Sequence, residues 1–139
     1  MLFRSEIGRE LRVLLAFLKE HKEDAEFAPY LGGLKTVSGQ LQQATMWLMQ
    51  NAMGNPDNAG AGSNDYMHLF GLTLLGYMWA RIAKAVIAKK AKGEADAELE
   101  AKLTLAKFFN ERMMPEAGAH LARLSSGSAS IMALPAAAF

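Results

Sequence analysis

The stretch YMHLFGLTLLGYMWA, residues 66–80, is the longest uncharged apolar run in the chain. It lies between Asp65 and Arg81 and contains one histidine, His68. The run is shorter than the ~20 apolar residues that a helix needs to cross a bilayer, so a membrane span is not expected. Because it is apolar on every side, it predicts the first half of a central helix that is surrounded by other helices.

The sequence before this run favours a loop. GNPDNAGAGS, residues 54–63, clusters the residue types that are common in turns. The triplet GAG at residues 60–62 lacks the preceding strand and the lysine of a phosphate-binding loop, so a flexible loop is the favoured interpretation. Residues 63–65 then offer three candidate N-caps for the third helix, which is predicted to run to about Lys92, with Gly93 after its last turn.

Three further helices are indicated by apolar residues that recur at steps of three and four. The stripes comprise Phe3, Ile7, Leu11, Leu14, Leu15 and Leu18 in the first helix, Leu34, Val37, Leu41, Thr45, Leu48 and Ala52 in the second, and Leu99, Leu103, Ala106, Phe109 and Met113 in the fourth. The fourth helix begins near Asp96, and Pro115 kinks or ends it. A short piece through Leu121 and Leu124 follows. No strand-like alternation occurs, so the predicted fold is an all-α antiparallel helical bundle of about four main helices, with a kink or short extra helix near Pro115 and an apolar C-terminal tail.

Composition and charge exclude several classes of protein. The chain has 139 residues, of which 51% are hydrophobic, and it contains no cysteine, so disulfides, thiolate metal sites and cysteine nucleophiles are excluded. This length predicts a single domain over residues 1–139. A formal net charge of +1 argues against a nucleic-acid binder, which usually has a strongly basic face. The first residues, MLFRSEIGRE, mix both charges unlike a secretory signal, so the expected compartment is the cytoplasm.

No constellation of residues predicts an active site. A di-iron bundle needs carboxylates on four helices and two Glu-x-x-His motifs. The nearest match here is a single pair, Glu116 and His120, at a spacing of four residues, and both are expected at the surface. His68 is expected to be a hydrogen-bonded core histidine. Charged residues on either side of residue 93 are expected to be solvated; they are Arg81, Lys84, Lys89, Lys90 and Lys92 before it and Glu94, Asp96, Glu98 and Glu100 after it. Catalytic, cofactor-binding and metal-binding residues are therefore predicted to be absent.

Methionines extend the apolar surface of the second helix beyond one stripe. They are Met46, Met49 and Met53, and Trp47 lies among them. Core packing is the favoured explanation. The alternative is a surface that docks another domain or subunit, because methionine is common at adaptable contacts.

The second half of the chain carries the most family-specific sequence. The relevant stretches are YMHLFGLTLLGYMWARIAKA, KLTLAKFFNERMMPEAG and SIMALPAAAF, and within them Leu69, Gly71, Gly76, Trp79, Arg81, Lys102, Ala106, Phe108, Phe109, Arg112, Pro115, Leu134 and Phe139. FLKEHKEDAEF and GLKTVSGQL add a looser similarity in the first sixty residues. In these residues the chain resembles the C-terminal helical domain that follows the catalytic core in large flavin-dependent acyl-CoA dehydrogenases.

The resemblance implies a parent enzyme that introduces a double bond between Cα and Cβ of an acyl-CoA thioester, with FAD accepting the hydride. The family's catalytic glutamate and its Gln-x-x-Gly-Gly-x-Gly-like flavin stretch lie upstream of this domain, and the one Gly-Gly pair here, Gly32–Gly33, lacks the rest of that motif. No catalytic or flavin residue is therefore carried over. The implied partners are the rest of the dehydrogenase chain and another subunit, with no nucleic acid and no membrane. The alternative is a stand-alone helical bundle that binds a partner protein.

Overall fold

The fold is an all-α bundle, as predicted. The computed structural model describes residues 6–139, except for the side chain at position 7, so Phe3 and Ile7 of the first predicted stripe lie outside the described residues. The helices are α1 (Glu6–Glu20), α2 (Gly32–Asn51), α3 (Pro56–Ala91), α4 (Ala97–Phe108) and α5 (Ala117–Ser125). Short 3₁₀ turns lie at Ala28–Tyr30, Met114–Glu116 and Ala136–Ala138, and residues 6–139 contain no strand.

One core holds the bundle together, with α3 at its centre. The backbone of α3 packs against α2, α4 and α5, and α2 also packs against α5. The largest fully buried side chains come from α1, α2, α3, α5 and the turn before α5: Leu14, Leu34, Leu41, Leu69, Met114 and Leu124. α1 joins the core through rings, since Phe17 lies edge-on to both Phe27 and Tyr77 at centroid distances of 5.8 and 5.4 Å. Burial of such side chains is the main favourable contribution to folding.

α3 begins about two turns before the predicted caps, so the loop prediction for residues 54–63 is wrong. Asn55 is the N-cap, because its side chain accepts a hydrogen bond from the Asp57 amide at 3.2 Å, and a proline occupies the first helical position. The GAG triplet is helical, not flexible. Gly62 is buried, and a Cβ there would lie 3.1 Å from Leu124 Cγ. The missing side chain lets α5 pack closely, which offsets the low helix propensity of glycine.

α3 is also more one-sided than its sequence predicts. Thr73, Gly76 and Ala80 are buried, whereas Met67 and Leu75 on the opposite side are more than half exposed. With 36 residues, α3 is long and apolar enough to cross a membrane by length and composition alone, a test that the core helix of a soluble protein also passes. Its packing against α2, α4 and α5 accounts for the apolar residues on the buried side.

The connection between α3 and α4 was predicted correctly. Gly93 has a φ of +71°, the left-handed conformation that follows many helices. Asp96 caps α4, because its carboxylate accepts a hydrogen bond from the Leu99 amide at 2.9 Å. Lys90 Nζ and Glu100 Oε1 lie 3.6 Å apart across the connection. A connection this short makes α3 and α4 antiparallel neighbours, and the ion pair fixes their register.

A π-helical turn at Phe109–Met113 ends α4 and changes its register. The extra residue in this turn places Met114, which is 1% exposed, in the core, while Met113 is 41% exposed. The predicted core position of Met113 is therefore wrong by one residue. The chain then restarts as a 3₁₀ turn that contains Pro115 and continues as α5, which confirms the predicted short helix.

Candidate functional site

A buried charged cluster joins α3 to α5. Asp65 Oδ1 lies 2.8 Å from His120 Nδ1 and 3.0 Å from Arg123 Nε. Arg123 Nη2 lies 2.9 Å from the same histidine nitrogen. The side chains of Asp65 and His120 are 11% and 4% exposed, and that of Arg123 is 58% exposed. Three polar groups therefore meet where two core helices touch, with only the arginine reaching solvent.

Two neighbours compete for His120 Nδ1. Asp65 Oδ1 at 2.8 Å pairs with the protonated nitrogen, whereas Arg123 Nη2 at 2.9 Å can only donate and pairs with the unprotonated one. Burial raises the pKa of Asp65, but the hydrogen bonds from His120 and Arg123 and their charges outweigh it, and the pKa lies below the usual 3.8. Asp65 is therefore a carboxylate at neutral pH.

Both histidines differ from their predicted positions. His120 is buried and not at the surface. Its partner Asp65 lies on α3, and the pair is enclosed where α3 and α5 pack together. His68 is exposed, not in the core; its Nδ1 lies 2.9 Å from the Asn64 carbonyl oxygen, and its ring stacks on that of His120 at 4.7 Å. Glu116 is exposed as predicted, with Oε1 3.4 Å from His120 Nε2.

The cluster has the geometry of a structural clamp. His120 Nε2 is buried and lies 3.4 Å from Glu116 Oε1, so both ring nitrogens of this histidine lie beside carboxylates of the same chain. Among residues 6–139, no group of three or more His, Cys, Asp or Glu side chains could hold a metal ion. The carboxylate and its two donors tie α5 onto α3.

The described residues do not fit a flavin either. Gly32 and Gly33 lie in the first turn of α2 and not in a loop that could surround a phosphate. A Cβ at Gly33 would lie 2.6 Å from Asn110 Oδ1 and 3.1 Å from Met114 Sδ. This glycine therefore allows α2 to pack against the π-helical turn. The Gly32–Gly33 pair does not form a flavin-binding loop.

An exposed apolar surface runs along α3 and α4. We call it the apolar outer face; it comprises Leu75, Met78 and Ile82 on α3 and Leu105 and Phe108 on α4, each 36–53% exposed. The ion pair between Lys90 and Glu100 places residue 82 level with residue 108, so the two stripes are level at Ile82 and Phe108 and extend in opposite directions from there. Exposed apolar side chains that form one patch mark interaction sites.

A second exposed apolar surface lies on α2. Met46, Met49 and Met53 are 56%, 51% and 91% exposed, so the favoured prediction that they pack in the core is wrong. Trp47 between them is half-buried and packs against the core. The C-terminal tail is exposed as well, with Phe139 at 96%. The methionines and the tail therefore contribute little to the stability of this bundle.

The charged residues around Gly93 are solvated, as predicted. Each member of the basic set is exposed: Arg81, Lys84, Lys89, Lys90 and Lys92. Two of them also cover aromatic rings, since Arg81 Cζ lies 5.7 Å from the Tyr77 ring centroid and Lys84 Nζ lies 5.5 Å from that of Phe17. No phosphate or nucleic-acid site follows from this set.

The chain is an all-α antiparallel helical bundle with a buried charged cluster and exposed apolar surfaces. A family model described as "acetyl-CoA dehydrogenase C-terminal like" matches residues 9–135, and the chain belongs to this family. No curated protein matches the chain. Four of the thirteen residues that carry the resemblance are buried, namely Leu69, Gly76, Ala106 and Phe109, and six are exposed: Arg81, Phe108, Arg112, Pro115, Leu134 and Phe139.

Proposed function

We propose that this chain is the accessory C-terminal domain of an FAD-dependent acyl-CoA dehydrogenase, with a structural or assembly role and no catalytic site of its own. Membership of the C-terminal-like family supports this assignment. In the proposed enzyme, the rest of the chain binds FAD and the acyl-CoA thioester and carries out the α,β-dehydrogenation. The cytoplasm is the proposed location, and neither nucleic acid nor a membrane is a proposed partner.

The apolar outer face is the observation that carries the docking role. Its five large side chains are 36–53% exposed, and none of them belongs to the buried core cluster. Docking against the catalytic part of the enzyme, or against another subunit, would remove these side chains from water. Burial of apolar area is the main favourable term in such association.

The test compares the full-length enzyme carrying Phe108→Glu with the enzyme carrying Ala88→Glu. Phe108 lies on the apolar outer face, whereas Ala88 is exposed elsewhere on α3. A charge in the centre of an interface is expected to cost about 2 kcal/mol or more, so Phe108→Glu should lower the melting temperature of the whole enzyme or change its oligomeric state. Ala88→Glu should leave both unchanged.

The isolated domain provides the internal control. Because Phe108 is 53% exposed, Phe108→Glu should change the stability of the separate 139-residue chain by less than about 0.5 kcal/mol. Unchanged stability, oligomeric state and acyl-CoA turnover in an enzyme truncated before this domain would refute the proposal.

The exposed methionines favour a second candidate, a bundle that binds a partner protein through α2. Met46, Met49 and Met53 give that helix an adaptable apolar surface. Under this alternative, Met49→Glu abolishes partner binding and Phe108→Glu does not. The accessory-domain proposal expects the opposite order of effects on the whole enzyme.

A further inference from the structure

A cleft of about 500 Å³ lies between the C-terminal half of α1 and the first half of α2. The backbone of α1 approaches the other helices less closely than they approach one another, which leaves this space open. Leu15, Leu18 and Leu31 give the cleft an apolar lining. Its volume is in the range of small-molecule sites, which is about 300–1,000 Å³, and is smaller than a docked helix requires.

Glycine keeps the cleft open on the α2 side. Gly32 and Gly39 both line it, and beyond the local helix backbone no atom of a described residue lies within 4 Å of the place where a Cβ would stand at either position. Glycine in the middle of a helix is destabilising relative to alanine, and Gly39 lies in the middle of α2. The packing of this chain therefore does not require Gly39, and a side chain there would occupy free space at the cleft.

Positive charge surrounds the apolar lining. Lys19 and Lys22 at the end of α1 and Lys35 on α2 all line the cleft, and none of the three forms an ion pair with a described residue. His21 also lines it, and its Nε2 is buried without a hydrogen-bond partner. Glu20 lies 3.9 Å from both His21 Nε2 and Lys84 Nζ, and no acidic residue is among the residues that line the cleft.

We propose that this cleft binds a single anionic amphiphile, namely a fatty carboxylate of medium chain length. The alkyl chain lies on the leucines beside Gly39, and the carboxylate accepts hydrogen bonds from Lys19, Lys22 and Lys35. From Gly32 to Gln42 the cleft follows α2 for about 15 Å, at 1.5 Å per residue, which suits an extended alkyl chain. The lysines distinguish this ligand from a neutral one, because only an anion compensates their charge.

Calorimetric titration of the protein with dodecanoate below its micelle concentration tests the proposal. Dodecanoate is expected to bind at one site per chain, and dodecanol is expected to bind at least tenfold more weakly. Lys35→Glu should weaken dodecanoate binding about fivefold to tenfold and reduce its salt dependence. Gly39→Leu should fill the cleft and abolish binding.

Two glycine variants separate binding from folding. Gly39→Leu and Gly71→Leu place the same side chain in open space on a helix, but only Gly39 lines the cleft. Both should keep or raise the melting temperature, because leucine is the better helix former, and Gly71→Leu should bind dodecanoate normally.

Three results would overturn the proposal. One is the absence of dodecanoate binding, and another is equal binding of dodecanol. The third is binding to anionic phospholipid vesicles without binding of monomeric dodecanoate, which would assign the lysines to a membrane surface. None of these outcomes bears on docking through the apolar outer face, which lies on α3 and α4.

Discussion

Replacing Asp65 with alanine should destabilise the bundle more than any surface substitution, because Asp65 is the acceptor that links α3 to α5. The His120 bond, 2.8 Å long and buried, is charge-assisted and contributes about 1.5–3 kcal/mol. The Arg123 bond involves a side chain that is 58% exposed, and solvent screening reduces its contribution to about 0.2–1 kcal/mol. The expected loss is therefore about 2–4 kcal/mol.

Arg123→Ala is the matched control for this estimate. It removes only the exposed donor and leaves the buried bond between Asp65 and His120 in place, so it should cost less than about 1 kcal/mol. The two variants therefore separate a buried clamp from an ordinary surface ion pair.

Urea unfolding at pH 7, followed by circular dichroism, measures both variants. The midpoint should fall strongly for Asp65→Ala and slightly for Arg123→Ala, with unchanged slopes. A loss below about 0.5 kcal/mol for Asp65→Ala, or equal losses for the two variants, would refute the clamp.

Three further predictions follow from individual contacts. The pKa of Asp65 is lowered in the folded state. Its contribution to stability is therefore complete above the unfolded pKa, about 3.8, and is lost as the pH falls through the folded pKa. In urea titrations, the difference in unfolding free energy between wild type and Asp65→Ala should shrink below pH 4. Gly76→Ala should destabilise the bundle by about 1–2 kcal/mol, because a Cβ there would overlap Met114. Gly71→Ala should stabilise it by up to about 1 kcal/mol. Thermal melts should therefore show a lower melting temperature for Gly76→Ala and an equal or higher one for Gly71→Ala. Asn55→Ala should cost about 1 kcal/mol in a thermal melt if the start of α3 is correct.

The bundle was predictable from sequence because its core follows helical periodicity. Leu14, Leu34, Val37 and Leu41 were all predicted in apolar stripes and are all buried. Helix ends were predicted correctly where neighbouring residues determine them. At the start of α4, the Asp96 side chain accepts a hydrogen bond from the backbone amide three residues later.

The start of α3 was missed because the glycines that follow it lower local helix propensity, although Asn55 and Pro56 form a local start signal. Asn58 illustrates the difficulty. Its side chain donates to the Asn51 carbonyl at 3.1 Å and accepts from the Ser128 amide and hydroxyl at 3.0 and 2.9 Å. A segment rich in glycine and asparagine is thus held helical by the ends of α2 and α5, and local sequence carries no record of those partners.

The clamp was missed for a similar reason. His120 was paired in sequence with Glu116 at a spacing of four, but its strong partner is Asp65, which is 55 residues away. Asp65 itself was considered only as a helix cap. A buried carboxylate in the middle of a helix signals such a pairing, because isolated charges are almost never buried, but burial has to be known first.

The helical glycines show what sequence and structure each contribute to the functional argument. From sequence alone all of them weaken helices to a similar degree. The structure divides them into two groups: Gly33, Gly62 and Gly76 allow another helix or side chain to approach within 3.1 Å, whereas Gly39 and Gly71 face open space. The first group is explained by packing within this chain. The second group has no packing explanation among the described residues. Because Gly39 lies at a cleft whose lysines form no ion pair with a described residue, while Gly71 does not, Gly39 is the more informative position to fill.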